Sequence, residues 1–397
     1  DVLVDSSYVA DGTWTALYDH RGDNHFVTGP ETRMSTRPWE PPKRVGWLER
    51  KLKPAPIDFG TKTAILPYVD YGDGAGLVLG AGPTFTRRGF RRDPYKYRIA
   101  TRALISTRTG GLAAEVDGDY RLENSPWGFS LEARASQFES IRFYGFGNDT
   151  PELDSDLTLA RYNELFLAPA VDWRPSRTAT YSAGPILRYV DLRPRARSPL
   201  ALQRPLGAES FGEIGAFVRA EIDRPGPGPV PERGFTVSAT ASAYPGIWDA
   251  PDAFGRFDAL ATAYAPFPFS FPRDASLAFR LGGQRVWGDF PVHEAAFIGG
   301  HRTLRGYRHD RFAGDAALYG GTELRAPIGQ VTLLVKGDLG GILLVDAGRV
   351  FFDGDSDGGW HTGVGAGLWF TALDRIISLT YAHGEVGKLY LRLSLPY

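Results

Sequence analysis

The strongest constraint on the fold is a two-residue alternation of apolar and polar side chains that recurs along the chain. From about residue 61 onward, segments of roughly ten to fourteen residues alternate in this way, separated by clusters of Gly, Pro, Asp or Ser. Between residues 211 and 223, for example, the apolar and polar sets are Ile214, Ala216, Val218, Ala220 and Ile222 against Glu213, Arg219, Glu221 and Asp223. Because side chains of a strand point alternately to its two faces, each segment is predicted to be a strand with one apolar face.

Composition supports an all-β fold and excludes several functions. The 397 residues include 48 Gly, 29 Pro, 9 Trp, 18 Tyr and 24 Phe, which favour strands and tight turns over long helices. Cysteine is absent, so disulfides, thiolate nucleophiles and cysteine metal sites are excluded. The net charge of -1 gives no general basic field, so no nucleic acid partner is expected. No stretch approaches the roughly twenty apolar residues of a membrane-spanning helix.

The alternating segments predict sixteen antiparallel strands. Their approximate ranges are 61–70, 75–87, 95–107, 110–123, 126–137, 160–174, 178–191, 210–223, 234–244, 254–267, 275–286, 314–327, 338–350, 361–371, 374–383 and 387–396. The long connections all follow odd-numbered strands, at 138–159, 192–209, 287–313 and 351–360. A transmembrane β-barrel alternates short turns with long outer loops in this way, with lipid outside and water inside. A soluble two-sheet sandwich with a dry core is the alternative.

Residues 1–60 lack this alternation and divide the chain into two predicted parts. The stretch MSTRPWEPPKRVGWLERKLKPAP mixes proline with basic residues, which predicts a periplasmic linker or tether ahead of a barrel domain at 61–397. Val45, Trp47, Leu48 and Leu52 could form a short helix of one or two turns against the barrel or the membrane surface.

The segment from Phe297 to Gly329 carries the functional signal. Its residues Leu304, Arg305, Gly306 and Tyr307 match a V/L-R-G-F/Y motif in a long connection after the eleventh predicted strand. In this position the motif resembles the Omp85 superfamily of outer-membrane barrels, which includes BamA-like and TamA-like insertases and two-partner secretion transporters. The resemblance implies that this connection folds back into the barrel lumen, with the motif at its tip.

The resemblance also implies two acidic partners for the loop. Glu323, four residues before Pro327, fits the family's E-x-x-x-P pattern in the twelfth strand. Asp346 and Gly348 fit its F/G-x-D-x-G pattern in the thirteenth, although Leu344 replaces the usual Phe or Gly. These acids would anchor the loop.

The chemistry of the motif residues agrees with that role. The Arg305 guanidinium can bind carboxylates with two parallel hydrogen bonds, and strand alternation places Glu323 on the polar, inward face. Gly306 would let the loop turn where a side chain would clash, and Tyr307 would pack its ring on the wall. The alternative is that Arg305 is an ordinary exposed loop arginine.

The last strand, GKLYLRLSLPY, carries a second resemblance. Tyr390, Leu393, Leu395 and the terminal Tyr397 are similar to the C-terminal signal by which outer-membrane barrels are recognised for insertion. A plain barrel strand ending in an aromatic belt residue explains the same letters. The family resemblance further implies a weak seam between the first and last strands that pairs with incoming β-strands.

Searches for other sites predict no catalytic residues, no metal site and no cofactor. The stretch DGDSDGG at 353–359 begins like a calcium loop, but Val364 stands where the bidentate Glu belongs. His293 lacks the second histidine of a zinc protease motif, and the seven histidines form no evident ligand cluster. No G-x-S-x-G or phosphate-binding loop is present, so no enzyme activity is expected.

Three functions follow from the resemblance. The first is insertion of proteins into the outer membrane of a Gram-negative bacterium, or their translocation across it, although the POTRA domains that usually precede such barrels are not recognisable. The second is an anchor or export conduit for a fused or partner periplasmic domain, such as a phosphatase or patatin. The third is a diffusion porin, which a loop across the lumen disfavours. Expected partners are outer-membrane lipid and lipopolysaccharide, client barrels or exported proteins, or a periplasmic subunit.

Overall fold

The computed structural model describes most of the chain from residue 59 onward and short parts before it. The described residues are 2–4, 15–19, 25–28, 32–38, 59–72, 74–226, 230–269, 271–272, 274–332, 336–372 and 375–392. Within these ranges no helix has the length and hydropathy needed to cross a membrane.

The described residues form twenty-two strands and three short helical turns. The strands are β1 Val2–Val4, β2 Thr15–Tyr18, β3 His25–Val27, β4 Thr32–Ser35, β5 Thr61–Gly72, β6 Gly76–Gly89, β7 Arg92–Ser106, β8 Leu112–Arg121, β9 Trp127–Arg142, β10 Leu159–Trp173, β11 Ala179–Arg193, β12 Ser210–Pro225, β13 Gly234–Tyr244, β14 Phe254–Pro266, β15 Ser276–Trp287, β16 Ala296–Ile298, β17 Phe312–Gly314, β18 Ala316–Thr332, β19 Lys336–Phe351, β20 His361–Ala372, β21 Arg375–His383 and β22 Gly387–Arg392. The helical turns are α1 Ser155–Thr158, α2 Pro199–Gln203 and a 3-10 turn at Val292–Glu294.

Sixteen of these strands form one antiparallel sheet, as the alternation predicts. They are β5 to β15 followed by β18 to β22, each hydrogen-bonded to its neighbour in the chain, with β15 paired directly to β18. The long connection containing β16 and β17 therefore follows the eleventh strand of the sheet, where the sequence places it. A single continuous sheet is not the two-sheet sandwich, so that alternative is wrong.

One strand boundary differs from its prediction because of a proline. The twelfth strand of the sheet, β18, continues past Pro327 to Thr332, whereas the alternation predicts an end at residue 327. The register with β19 shifts between Pro327 and Gly329, which marks a β-bulge. Proline is tolerated at a bulge because the ladder hydrogen bond is already interrupted there, so the strand resumes beyond it.

The two faces of the sheet differ sharply in chemistry. In β10, Leu165 and Val171 are exposed on one face, while Glu164 and Asp172 are buried on the other. The same pattern in β12 leaves Val218 exposed on the outer face. An outward apolar face and an inward charged face are typical of a barrel with lipid outside and water inside.

The connection at 288–315 lies inside the curve of the sheet. Its 3-10 turn contacts β12 and β14, since His293 lies near Glu213 and Arg256 bonds Glu294. Its far end contacts β22, where the Gly306 backbone N–H donates to the Tyr390 hydroxyl. One loop that touches strands from the eighth to the sixteenth of the sheet requires the sheet to wrap around it. We call residues 288–315 the lumen loop.

Buried apolar side chains pack around the lumen loop in separate clusters. Phe143, Leu200 and Val292 pack where the long connections converge. Leu304 and Phe312 belong to a second cluster within the curve of the sheet, and that cluster extends onto β18 and β19. These two clusters therefore hold the loop against the wall and the neighbouring connections.

The described parts of residues 1–60 form two small parallel pairs, β1 with β3 and β2 with β4. The Tyr18 ring packs edge-on against Phe90, and Arg37 donates to the backbone carbonyl of Asn124. Both contacts are to turns at the end of the sheet where β5 begins. The tether prediction did not include these strands, and the division at residue 60 stays a prediction. The predicted helix at 45–52 lies outside the described residues.

Candidate functional site

The tip of the lumen loop places Arg305 between two carboxylates on the wall. Its Nε and Nη2 donate to the two oxygens of Asp346 at 2.6 and 2.7 Å, while its Nη1 contacts Glu323. The backbone N–H of Arg305 also donates to Asp346, at 3.1 Å. The structure therefore brings the three predicted charged residues together in a bidentate, charge-assisted arrangement.

All three side chains are removed from solvent. Arg305 is 1% exposed, and Glu323 and Asp346 are fully buried. Breaking a buried ion pair by removing one partner typically costs about 3–5 kcal/mol. This burial excludes the alternative that Arg305 is an ordinary exposed loop arginine.

Two glycines on neighbouring strands make room for the Asp346 carboxylate and the loop tip. Gly321 of β18 and Gly363 of β20 pair with Asp346 from either side. A Cβ on Gly321 would lie 2.1 Å from an Asp346 carboxylate oxygen, and one on Gly363 would lie 1.9 Å from the Arg305 carbonyl oxygen. These positions accept glycine alone while the loop is docked.

Gly306 turns the chain directly after Arg305. Its φ of 89° lies in the left-handed region, and a Cβ there would lie 2.5 Å from the Gly384 nitrogen. The Tyr307 hydroxyl donates to the Thr362 carbonyl, and its ring packs near His361. The tip thus requires glycine for both its conformation and its close approach to the wall.

Two arginines that the sequence analysis did not single out complete the cluster. Arg325 donates to Glu323 from two positions along β18, at 2.8 and 3.0 Å. Arg280 of β15 donates to the loop carbonyls of Arg302 and Thr303 and lies 3.6 Å from Asp346. Arg325 shares the inward face with Glu323, so alternation could have assigned it. Arg280 was not identifiable because its partners are backbone atoms of a distant loop.

The loop tip contacts the hairpin between β21 and β22. The Gly306 carbonyl accepts from the Val386 N–H, and its own N–H donates to the Tyr390 hydroxyl at 3.1 Å. Tyr390 therefore faces inward, while Leu389 and Leu391 are exposed on the outer face. The predicted signal residues Leu393, Leu395 and Tyr397 lie outside the described residues.

A second arginine fastens the lumen loop at its other side. Arg311 is 3% exposed, donates to both oxygens of Glu385 at 2.6 and 2.9 Å, and donates to the side chain and backbone of Thr150. Its guanidinium also lies over the rings of Tyr144 and Phe312 at 4.4 and 4.6 Å. Arg311 therefore connects the loop to the connection after β9 and to the last hairpin. No family motif pointed to it.

Gly348, the remaining predicted residue, lies two positions beyond Asp346 in β19. A Cβ there would approach Ile298 and Tyr319 to 3.2 Å, so the glycine permits close packing of β16 on the wall.

His301, near the tip, has a pKa lowered to about 3, first by burial and then by the charge of Arg392. The loop is therefore docked with this imidazole neutral.

The first and last strands of the sheet are its two edges in the described residues. There, β5 pairs with β6 and β22 pairs with β21, and neither carries a second strand partner. Arg392 of β22 nevertheless lies within electrostatic reach of Asp70 of β5. The two edges face each other beside the hairpin that the loop tip contacts.

Comparisons with known proteins agree with this architecture. The Omp85 superfamily domain matches residues 207–381. BamA from Haemophilus ducreyi lacking POTRA domains 1–3 aligns at a TM-score of 0.61 and 13% identity, over 83% of this chain and 68% of that one. CdiB from Escherichia coli aligns at 0.52 and 12% identity, over 84% of this chain and 60% of that one. No curated protein matches the sequence. At these identities the structural matches show a shared fold.

Proposed function

Because the chain belongs to the Omp85 superfamily, we propose that it inserts proteins into the outer membrane of a Gram-negative bacterium or translocates them across it. The observation that carries this proposal is the lumen loop, held by buried Arg305 against Glu323 and Asp346. A loop held across the lumen narrows the path for solutes, which disfavours a diffusion porin.

The seam between β5 and β22 is the proposed working part. An edge strand offers unpaired backbone N–H and C=O groups, which template another strand by β-augmentation. Gly306 at the loop tip is hydrogen-bonded to Tyr390 of β22 and to the turn before that strand. Docking of the loop and the position of the seam are therefore coupled. In this mechanism an incoming strand pairs at the seam while the docked loop keeps the last hairpin in place.

Lipid contact is assigned to the outer face of the sheet. Its exposed apolar side chains, such as Val69, Leu281 and Leu368, would face the hydrocarbon, and lipopolysaccharide would meet the long outer connections. The protein has no catalytic role of its own in this proposal.

The second candidate is an anchor or export conduit for a periplasmic domain, such as a phosphatase or patatin. It is favoured by the Tyr18–Phe90 and Arg37–Asn124 contacts, which bring the segment before the barrel onto the turns at one rim. A domain joined to that segment would sit over the opening of the lumen.

Reconstitution into liposomes tests the first candidate. A urea-unfolded eight-stranded outer-membrane barrel is added, and its folding rate is followed by protease resistance with and without this protein. We expect faster client folding with wild type, a loss of the effect in Arg305→Ala, and retention in Arg302→Ala, a matched exposed arginine three residues away. No acceleration by correctly folded wild type, together with stable solute conductance in planar bilayers, would refute the proposal in favour of a porin.

A further inference from the structure

A second buried charged cluster lies at the start of the lumen loop. Glu213 projects inward from β12, while His293 and Glu294 belong to the 3-10 turn that follows β15. One ligand atom from each of the three lies within 4.8 Å of the others. The cluster is separate from the Arg305 site, and Glu213 lies 80 residues before His293, which hid the cluster from motif searches.

The His293 imidazole and the Glu213 carboxylate are buried with unused polar atoms. The His293 side chain is 3% exposed and that of Glu213 is fully buried. Within the described residues, neither ring nitrogen of His293 and neither carboxylate oxygen of Glu213 has a hydrogen-bond partner. A buried polar group without a partner is costly, so four such atoms converging in one place indicate a missing ligand.

The spacing of these atoms suits a metal ion. His293 Nε2 lies 3.5 Å from Glu213 Oε1, which is too long for a strong hydrogen bond. Two ligands at about 2.0–2.1 Å from a tetrahedral zinc ion are separated by roughly 3.3 Å. The pair therefore needs a shift of only a few tenths of an ångström to share an ion.

The ion pairs around the cluster contain more acids than arginines. Ion pairs join four acids, namely Glu164, Glu213, Asp258 and Glu294, to three arginines, namely Arg134, Arg188 and Arg256. These four acids and three arginines carry one net negative charge, not counting His293. Of the four acids, Glu213 lies farthest from an arginine, because its nearest arginine nitrogen, on Arg188, is 3.7 Å away.

We propose that Glu213, His293 and Glu294 bind a divalent transition metal ion, with zinc the best fit to one imidazole and two carboxylates. Glu294 contributes a lone pair beside the hydrogen bonds that it accepts from Arg188 and Arg256. Water from the adjacent cavity, about 430 Å³ in volume, completes the coordination. The ion joins the first turn of the lumen loop to wall strand β12.

The test uses the full chain, purified in detergent through a tag without histidine. Bound metal is measured by mass spectrometry after dialysis against zinc, and affinity by calorimetric titration with zinc, manganese and calcium. We expect about one zinc ion per chain, with at least a tenfold loss of affinity in His293→Ala and in Glu213→Gln. The matched control, His309→Ala, removes a half-exposed histidine of the same loop and keeps the zinc.

The unfolding temperature of each variant in EDTA shows that it folds, and it serves as that variant's own reference because removing a buried group can itself change stability. Zinc should raise this temperature for wild type and for His309→Ala alone. The proposal is overturned if wild type takes up no metal, or if His293→Ala and Glu213→Gln both retain it.

Discussion

Replacing Arg305 by alanine should release the lumen loop from the wall. The substitution removes the bidentate contact with Asp346 and the contact with Glu323, and it leaves both carboxylates buried. Loss of one partner from a buried ion pair costs about 3–5 kcal/mol. At about 1.4 kcal/mol per factor of ten, the undocked fraction should rise by roughly two to three and a half orders of magnitude.

Cysteine labelling measures that fraction, because the chain has no native cysteine. Leu304 is fully buried beside Arg305, so a Leu304→Cys thiol reacts with maleimide only when the loop leaves the wall. The labelling rate in an Arg305→Ala background should increase by the factor above, up to the limit set by a freely accessible thiol. In an Arg302→Ala background, where the removed side chain is exposed, the rate should change less than about threefold.

The reasoning has a clear failure condition. If Arg305→Ala folds into the barrel and its Leu304→Cys thiol labels as slowly as in the parent, the arginine does not hold the loop. Arg305→Lys gives an intermediate test, since an ammonium group keeps the charge but cannot form the two parallel bonds to Asp346.

Three further outcomes are expected. Gly363→Ala should also undock the loop, because its Cβ would lie 1.9 Å from a loop carbonyl oxygen. The control Gly341→Ala in neighbouring β19 has no contact shorter than 3.9 Å, so the Leu304→Cys thiol in that background should be labelled as slowly as in the parent. Glu385→Ala should weaken the second fastening by about 1.5–3 kcal/mol and speed trypsin cleavage after Arg311, and unchanged cleavage would exclude that role. Since the pKa of His301 in the folded barrel is lowered from its usual 6.5 to about 3, the stability that comes from keeping this ring neutral is complete above pH 6.5 and declines as the pH falls toward 3. Thermal unfolding between pH 6.5 and 5 should therefore be less acid-sensitive in His301→Asn, and equal sensitivity would contradict the assignment.

The strands were predictable because a period of two is a local signal. Alternation fixes which residues face inward, so Glu213, Glu323 and Tyr390 could be placed on the lumen side from the sequence alone. The same signal ended β18 too early, because the bulge at Pro327 interrupts the ladder without ending the strand. The antiparallel strands β16 and β17 are each too short for any periodicity to appear in the sequence.

Long-range contacts of the loop were predictable only where a motif linked them. Arg305 and its two acids came from the family resemblance, while alternation supplied the inward direction of Glu323. Arg311 was missed because Glu385 and Thr150 are distant in the sequence and follow no common pattern. The sequence analysis set His293 aside because it lacks the second histidine of a zinc protease motif, whereas its neighbour Glu213 lies on a strand in a different part of the chain.

Site-specific photo-crosslinking tests the proposed seam most directly. In the liposome assay, a photoreactive residue replaces Val69 of edge strand β5, and the matched control replaces Leu281 of interior strand β15, since both side chains are similarly exposed on the outer face. If client strands pair at the seam, the client should crosslink to residue 69 while it is folding. It should not crosslink to residue 281. Equal crosslinking at both positions, or none at residue 69 during active client folding, would contradict the account.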